Sequence, residues 1–165
     1  MHFRKAFITD IPTIQQIAEE TWRPTYGHIL TEEQTLYMLD MMYAEEVLRK
    51  QIEGNVDFFM VEESEVAVGY FAIEQMEEKH AKLHKIYLSS KKKSAGIGSA
   101  IIQFLKKWGL ERGIQTIELN VNKYNSAVTF YEKMGFERLR EMVLDIGQGY
   151  VMDDYVMQLR LLPIQ

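Results

Sequence analysis

The chain has no cysteine, only three prolines, and no apolar run long enough to span a bilayer. Without cysteine there is no disulfide, no thiol nucleophile and no thiolate metal site. No proline-rich or serine-rich tract marks a linker, and no repeat is visible. An excess of positive charge is also missing: 19 Lys and Arg stand against 24 Asp and Glu, a net charge of -5. That balance argues against nucleic acid as a partner, because phosphate binding draws on clustered cations, and it suits a cationic ligand better. The first residues, Met1 to Asp10, lack the apolar core and small-residue cleavage site of a signal peptide. A cytoplasmic location, with no membrane partner, is therefore the expectation.

What is present is the composition of an ordinary soluble chain: 165 residues, 47% hydrophobic and 26% charged. Length alone predicts one domain, 1–165, able to bury about 70% of its unfolded surface around one core.

The chain is organised around the stretch Ile86 to Arg112. A strand-like run, Leu83 to Leu88, leads into a basic turn with Lys91, Lys92 and Lys93, then Gly96 and Gly98, then apolar residues at 97, 100, 101, 104, 105 and 108. That last spacing is one face of a helix. A strand feeding a glycine turn that opens a helix aims several main-chain N–H groups at one point, a natural site for phosphate. Taken alone, Gly-x-Gly fits a solvated basic turn equally well. A Walker loop is excluded because positions 87 and 92 are Tyr and Lys, and a dinucleotide fingerprint because position 101 is Ile.

In chain order, Phe3 to Ile8 reads as a strand, and Asp10 caps a helix that carries Ile11, Ile14, Ile17 and Ala18 and ends near Trp22 to Pro24. Thr31 with Gln34 makes a capping box for a second helix, and Glu45 to Ile52 forms a third. Asp57 to Val61 and Val66 to Ile73 form a hairpin about Glu62 to Glu65. Gly113 stops the central helix, and Thr116 to Val121 is a strand, so the unit from Leu83 to Val121 is strand, helix, parallel strand. Asn125 caps the next helix and Gly135 ends it; Phe136 to Leu144 and Tyr155 to Leu161 are final strands around Asp145 to Asp154. The predicted class is α/β (α+β), one mixed sheet with helices on its faces.

Two segments together, Lys93-Ser94-Ala95-Gly96-Ile97-Gly98 after Ile86-Tyr87-Leu88, and Asn125-Ser126-Ala127-Val128-Thr129-Phe130-Tyr131-Glu132-Lys133-Met134-Gly135-Phe136, resemble the Gcn5-related N-acetyltransferase (GNAT) superfamily. The first resembles that family's Gln/Arg-x-x-Gly-x-Gly/Ala loop, with Lys93 departing from Gln or Arg; the second resembles its Asn-x-x-Ala-x-x-Phe-Tyr-x-x-x-Gly-Phe segment. The resemblance implies a mostly antiparallel sheet with a parallel β-α-β unit at the cofactor, and acetyl-coenzyme A as cosubstrate. It implies that amides of Ser94, Ala95, Gly96, Ile97, Gly98 and Ser99 hold the pyrophosphate. Ile86, Tyr87 and Leu88 would pair with the pantetheine arm, one of their amides serving as oxyanion donor. Asn125 would bind that arm or cap its helix. Tyr131 would be the general acid that protonates the leaving thiolate.

Something must also take a proton from the acceptor's ammonium. His84 is the candidate carried forward, beside Glu118, with Asn120 at the end of the second strand. His80 with His84 lacks a third ligand, so no metal is expected. The early helices hold Glu20, Trp22, Tyr26 and Tyr37 among further carboxylates, a set that suits an extended polycation through ion pairs and cation–π contact, although carboxylates also simply solvate helix faces. Trp22 to Gly27 followed by Thr31 to Gln34 is similar to bacterial spermidine/spermine N-acetyltransferases. A polyamine is thus the first expected acceptor. A peptide amino terminus or another small amine, and a non-catalytic coenzyme A-binding regulator, are the alternatives. The final strands would offer an edge for a homodimer.

Overall fold

The structure, a computed structural model of the chain, describes residues 1–89 and 95–161. Its elements are β1 (His2–Lys5), α1 (Ile11–Tyr26), α2 (Glu32–Tyr43), α3 (Glu45–Glu53), β2 (Val56–Glu63), β3 (Val66–Glu77), β4 (His80–Leu88), α4 (Ile97–Glu111), β5 (Thr116–Asn122), α5 (Ala127–Lys133), β6 (Glu137–Gly147) and β7 (Tyr150–Arg160). The seven strands follow the order β1-β2-β3-β4-β5-β7-β6, mostly antiparallel with a parallel β4–β5 pair, which is the mixed α/β architecture expected. None of the described helices is long and apolar enough to cross a membrane. The chain gathers into two compact units, one formed by Met1–Glu74 with β4 from His84 onward, the other by Gln75–Leu83 with residues 95–161.

In the first unit, β1 pairs with β2 through Phe3↔Val61, and β2 with β3 through Phe59↔Phe71. Four consecutive buried residues in β2, Phe58 to Val61, and six in β3, Val68 to Ile73, mark strands covered on both faces. The stripe Ile11, Ile14, Ile17, Ala18, Thr21, Trp22 and Tyr26 is the buried face of α1. That stripe explains why α1 runs on past the expected end and contains Pro24: the last turn buries Trp22 and Tyr26, and this offsets the missing proline donor. The opening strand is shorter than expected, because a 3₁₀ turn at Ile8–Asp10 follows it. Asp10 does not cap α1 through its side chain. Its carboxylate instead accepts from the Arg4 guanidinium, 2.9 Å at both oxygens, and from the Phe7 N–H at 2.7 Å. Thr31 caps α2 as expected, accepting from the Gln34 N–H at 3.2 Å.

In the second unit, β4 and β5 run parallel from His80↔Thr116 to Leu83↔Leu119, joined through α4. Ile97, Ile101, Ile102, Leu105 and Trp108 are the buried stripe of that helix. β5 pairs antiparallel with β7 from Thr116↔Arg160 to Asn122↔Asp154, and β7 pairs with the outer strand β6. Where a ten-residue connection was expected, Gln148 and Gly149 alone join the two strands. Both have positive φ, 51° and 79°, as tight hairpins of this twist require, and the Asp145 carboxylate accepts the Gly147 N–H at 2.8 Å.

Candidate active site

In the second unit, the turn at Ala95 and Gly96 delivers the chain into α4. Gly96 has φ +92°, and an added Cβ would meet nothing within 4 Å, so the position is an open left-handed turn that only glycine adopts without strain. The first bond of the helix runs from the Ala100 N–H to the Gly96 carbonyl at 2.9 Å. The N–H groups of Ile97, Gly98 and Ser99 therefore precede the helical ladder and suit an anion. Ile97 is buried and anchors the turn, whereas Ala95 and Gly96 are exposed. Lys93 and Ser94, with Lys91 and Lys92, lie outside the described residues.

Gly98 has a different role from Gly96. A Cβ there would lie 2.9 Å from Cζ of Phe130 on α5, so the missing side chain lets α4 and α5 approach closely. This contact ties the two sequence segments together. Asn125 was expected to cap α5, but Ser126 is the residue at its start and makes no side-chain cap; the Asn125 side chain instead accepts from the Ala127 N–H at 2.9 Å and braces the turn that leads into the helix. Tyr131, 6% exposed, has its ring between Phe130 and Phe136, with centroids 5.4 and 5.5 Å away.

Two charged groups of this unit escaped the sequence reading or change it. Glu118 faces His80 Nε2 at 3.8 Å and the Arg140 guanidinium at 3.5 Å, so its carboxylate is already engaged by neighbours of its own unit. Asp154, 3% exposed on β7, was not singled out at all. Burial, followed by repulsion from Asp153, pushes its carboxyl up to about 6, against the hydrogen bond from Asn120 and the charge of Lys82. Its place is set by strand register, opposite Asn122 of β5, which sequence does not display.

The first unit holds Ile86, Tyr87 and Leu88, all half-buried at the end of β4, where the Ser89 N–H donates to the Val68 carbonyl at 2.7 Å. His84, two residues before this run, has Nε2 2.8 Å from Glu74 Oε2. Of the four residues expected to meet an acceptor, Glu20 and Tyr37 are half-buried, while Trp22 and Tyr26 lie in the core of this unit. The reason is helical spacing, since both fall on the buried stripe of α1. Trp22 packs against Tyr26 at 4.8 Å and against Tyr87 and Tyr43 at 6.0 Å, and the Tyr26 and Tyr87 hydroxyls are 3.3 Å apart. Tyr70 donates to Tyr43 at 2.8 Å, and burial raises both phenols.

Lys85 was also missed. Its ammonium is buried over the ring of Tyr43 at 4.4 Å and donates to the Met42 carbonyl and to Gln51 Oε1 at 3.3 and 3.2 Å. Burial lowers it to about 8. The alternation Leu83, Lys85, Tyr87 already placed it on an inward face.

The chain is similar to several known N-acetyltransferases. A spermidine N(1)-acetyltransferase of Thermoplasma acidophilum is 28% identical over 143 residues, covering 83% of this chain and 88% of that protein. The crystal structure of the PaiA N-acetyltransferase of Thermoplasma acidophilum in complex with coenzyme A superposes with a TM-score of 0.81 at 25% identity, over 96% of this chain and 98% of that one. The ribosomal-protein-S18-alanine N-acetyltransferase of Escherichia coli shares the fold, with a TM-score of 0.75 at 17% identity over 99% and 96% of the two chains. The family model for the acetyltransferase (GNAT) domain matches residues 27–151, and the chain accordingly belongs to the GNAT family of N-acetyltransferases, enzymes whose acetyl donor is acetyl-coenzyme A.

Proposed function

We propose that this N-acetyltransferase acetylates a primary amine of a polyamine such as spermidine or spermine, by direct attack on the thioester. The Gly98–Phe130 contact carries the catalytic part of the reading, because it sets the anion-binding turn beside the helix that bears Tyr131. Bound acetyl-coenzyme A supplies the activated acetyl group. The open turn at Gly96 and the leading N–H groups of α4 fit its pyrophosphate. Main-chain amides from Ala95 to Ser99 hold it, and Lys93 and Ser94, expected to join them, lie outside the described residues. Asn125 and the main chain of Ile86, Tyr87 and Leu88 hold the pantetheine arm. Tyr131 is the general acid that gives a proton to the departing sulfur.

Two observations support a polyamine acceptor. One is the similarity to a spermidine N(1)-acetyltransferase. The other is charge: residues 19 to 46 contain seven carboxylates against one arginine, a strong local excess for a polycation. Glu20 and Tyr37 are assigned to acceptor contact, backed by the packed rings of Trp22 and Tyr26.

The test is coenzyme A release from acetyl-coenzyme A, followed by thiol detection, with spermidine, spermine, a short monoamine, an amino sugar and an amino-terminal peptide. The protein has no thiol of its own to raise the background. Preferential release with the polyamines supports the reading, and preference for the peptide replaces the acceptor. Tight acetyl-coenzyme A binding without release by any amine makes the protein a coenzyme A-binding regulator.

A further inference from the structure

Asp154 is a carboxylate in an unusual place. It is 3% exposed, yet stands on β7 directly opposite Asn122 of β5 and Met142 of β6. Asn122 ends β5, and Asn125, in the turn that leads into α5, follows three residues later. In a parallel β-α-β unit ligands lie off the carboxyl ends of the strands, and Asp154 is registered with that end of β5. The Asn120 side chain, one pleat back on the same face of β5, hydrogen-bonds to it and also reaches Met142 Sδ at 3.8 Å. Glu118, the next carboxylate along that face, is engaged by Arg140 and His80. Asp154 is thus a buried acid with an amide partner, aligned with the end of the strand that feeds the Tyr131 segment.

We propose that Asp154 receives the proton of the acceptor's ammonium, with Asn120 as the positioning residue that favours its ionised form. The inference rests on amine acetylation and not on a polyamine as the amine. The Asp154 carboxylate takes one proton from the ammonium, and the freed nitrogen lone pair forms the C–N bond as the C–S bond breaks. Tyr131 gives its proton to the sulfur and regains one from the new amide nitrogen through solvent. Asp154 passes its proton to water, so amine and thioester become amide, thiol and one released proton. The raised carboxyl, about 6, matches this task, because it is ionised at neutral pH yet basic enough to accept. Within its unit the groups that face Asp154 are Asn120 and Asn122 of β5 and Met142 of β6, with Lys82 of β4 and Asp153 of β7 as the nearby charges.

The experiment compares the wild type, Asp154→Asn and Asn120→Ala in coenzyme A release between pH 5 and 9, with spermidine and with an amino-terminal peptide. Acetyl-coenzyme A affinity and thermal unfolding are measured alongside. Wild-type kcat, which reports groups in the substrate complex, is expected to fall below about pH 6. Asp154→Asn is expected to lower kcat at pH 7.5 by about 100-fold and to abolish that acidic limb, with unfolding temperature and acetyl-coenzyme A affinity unchanged. Asn120→Ala removes the hydrogen bond to the ionised form and is expected to move the limb to higher pH, a shift that a structural role would not produce. Turnover of Asp154→Asn within about twofold of wild type with the limb intact overturns the proposal, as does loss of acetyl-coenzyme A binding in step with turnover. If Asp154→Asn does not fold, an unmoved limb in Asn120→Ala overturns it. Turnover of the peptide but not of spermidine overturns the polyamine reading alone, and Asp154 is then scored on the peptide.

Discussion

Gly98 and Phe130 approach so closely that a Cβ on residue 98 would lie 2.9 Å from the ring's Cζ and 3.2 Å from Cε2. One glycine thereby serves both halves of the candidate site: it keeps the start of α4 bare and lets α5 settle against it.

Gly98→Ala is therefore expected to destabilise the fold by about 1–3 kcal/mol through overpacking, measured by chemical denaturation. Adding Phe130→Leu should return most of that loss. Gly96→Ala is expected to cost about 1–2 kcal/mol from the left-handed backbone alone, with no relief from Phe130→Leu. An equal response of both glycine variants to Phe130→Leu would show that the α4–α5 contact is not specific to position 98.

Tyr131→Phe keeps the ring between Phe130 and Phe136 and removes only the hydroxyl. Turnover is expected to drop by about 100-fold or more, with acetyl-coenzyme A affinity within about twofold by calorimetry. Unchanged turnover would remove Tyr131 as the acid.

Lys85 gives a pH-dependent signature in stability. Its ammonium is lowered to about 8 in the fold, against an ordinary value of 10.5 in the unfolded chain. Between these values the unfolded chain holds the proton and the folded chain does not, so stability rises as pH increases from about 8 to 10.5. The rise is expected to be of the order of 2–4 kcal/mol in urea unfolding. Lys85→Met should abolish it and leave the protein at least as stable at pH 7, because an apolar side chain of similar length replaces a buried charge. A rise of the same size in Lys85→Met would place the titrating group elsewhere.

Glu20→Gln tests the acceptor side. A partly exposed ion pair is worth about 0.2–1 kcal/mol, so the expected change is a rise of roughly 1.5- to 5-fold in KM for spermidine with kcat preserved. The wild-type KM is expected to rise with salt and that of the variant to rise less. A KM for spermidine that responds neither to salt nor to the variant would remove Glu20 from acceptor binding.

Much of the architecture was legible in local sequence. The apolar stripe of α4, the Thr31 cap and the hairpin about Ser64 and Glu65 all depend on neighbours a few residues away, and the structure reproduces them. Misreadings fell where a competing contact overrides the simplest local preference. Asp10 reads as a cap, but Arg4 takes its carboxylate. Pro24 reads as a helix end, but the burial of Trp22 and Tyr26 carries α1 past it.

By itself the sequence determined the order of strands and helices, the glycine turn that opens α4 and the Asn125-to-Phe136 segment, because hydrophobic period, capping and turn chemistry are encoded within single elements. Only the tertiary structure decided that Gly98 meets Phe130, that Gln51 and Met42 receive Lys85, and that Asp154 stands opposite Asn122 with Asn120 beside it. Each of those depends on strand register or helix approach between segments remote in the chain, and so on packing that no local pattern records.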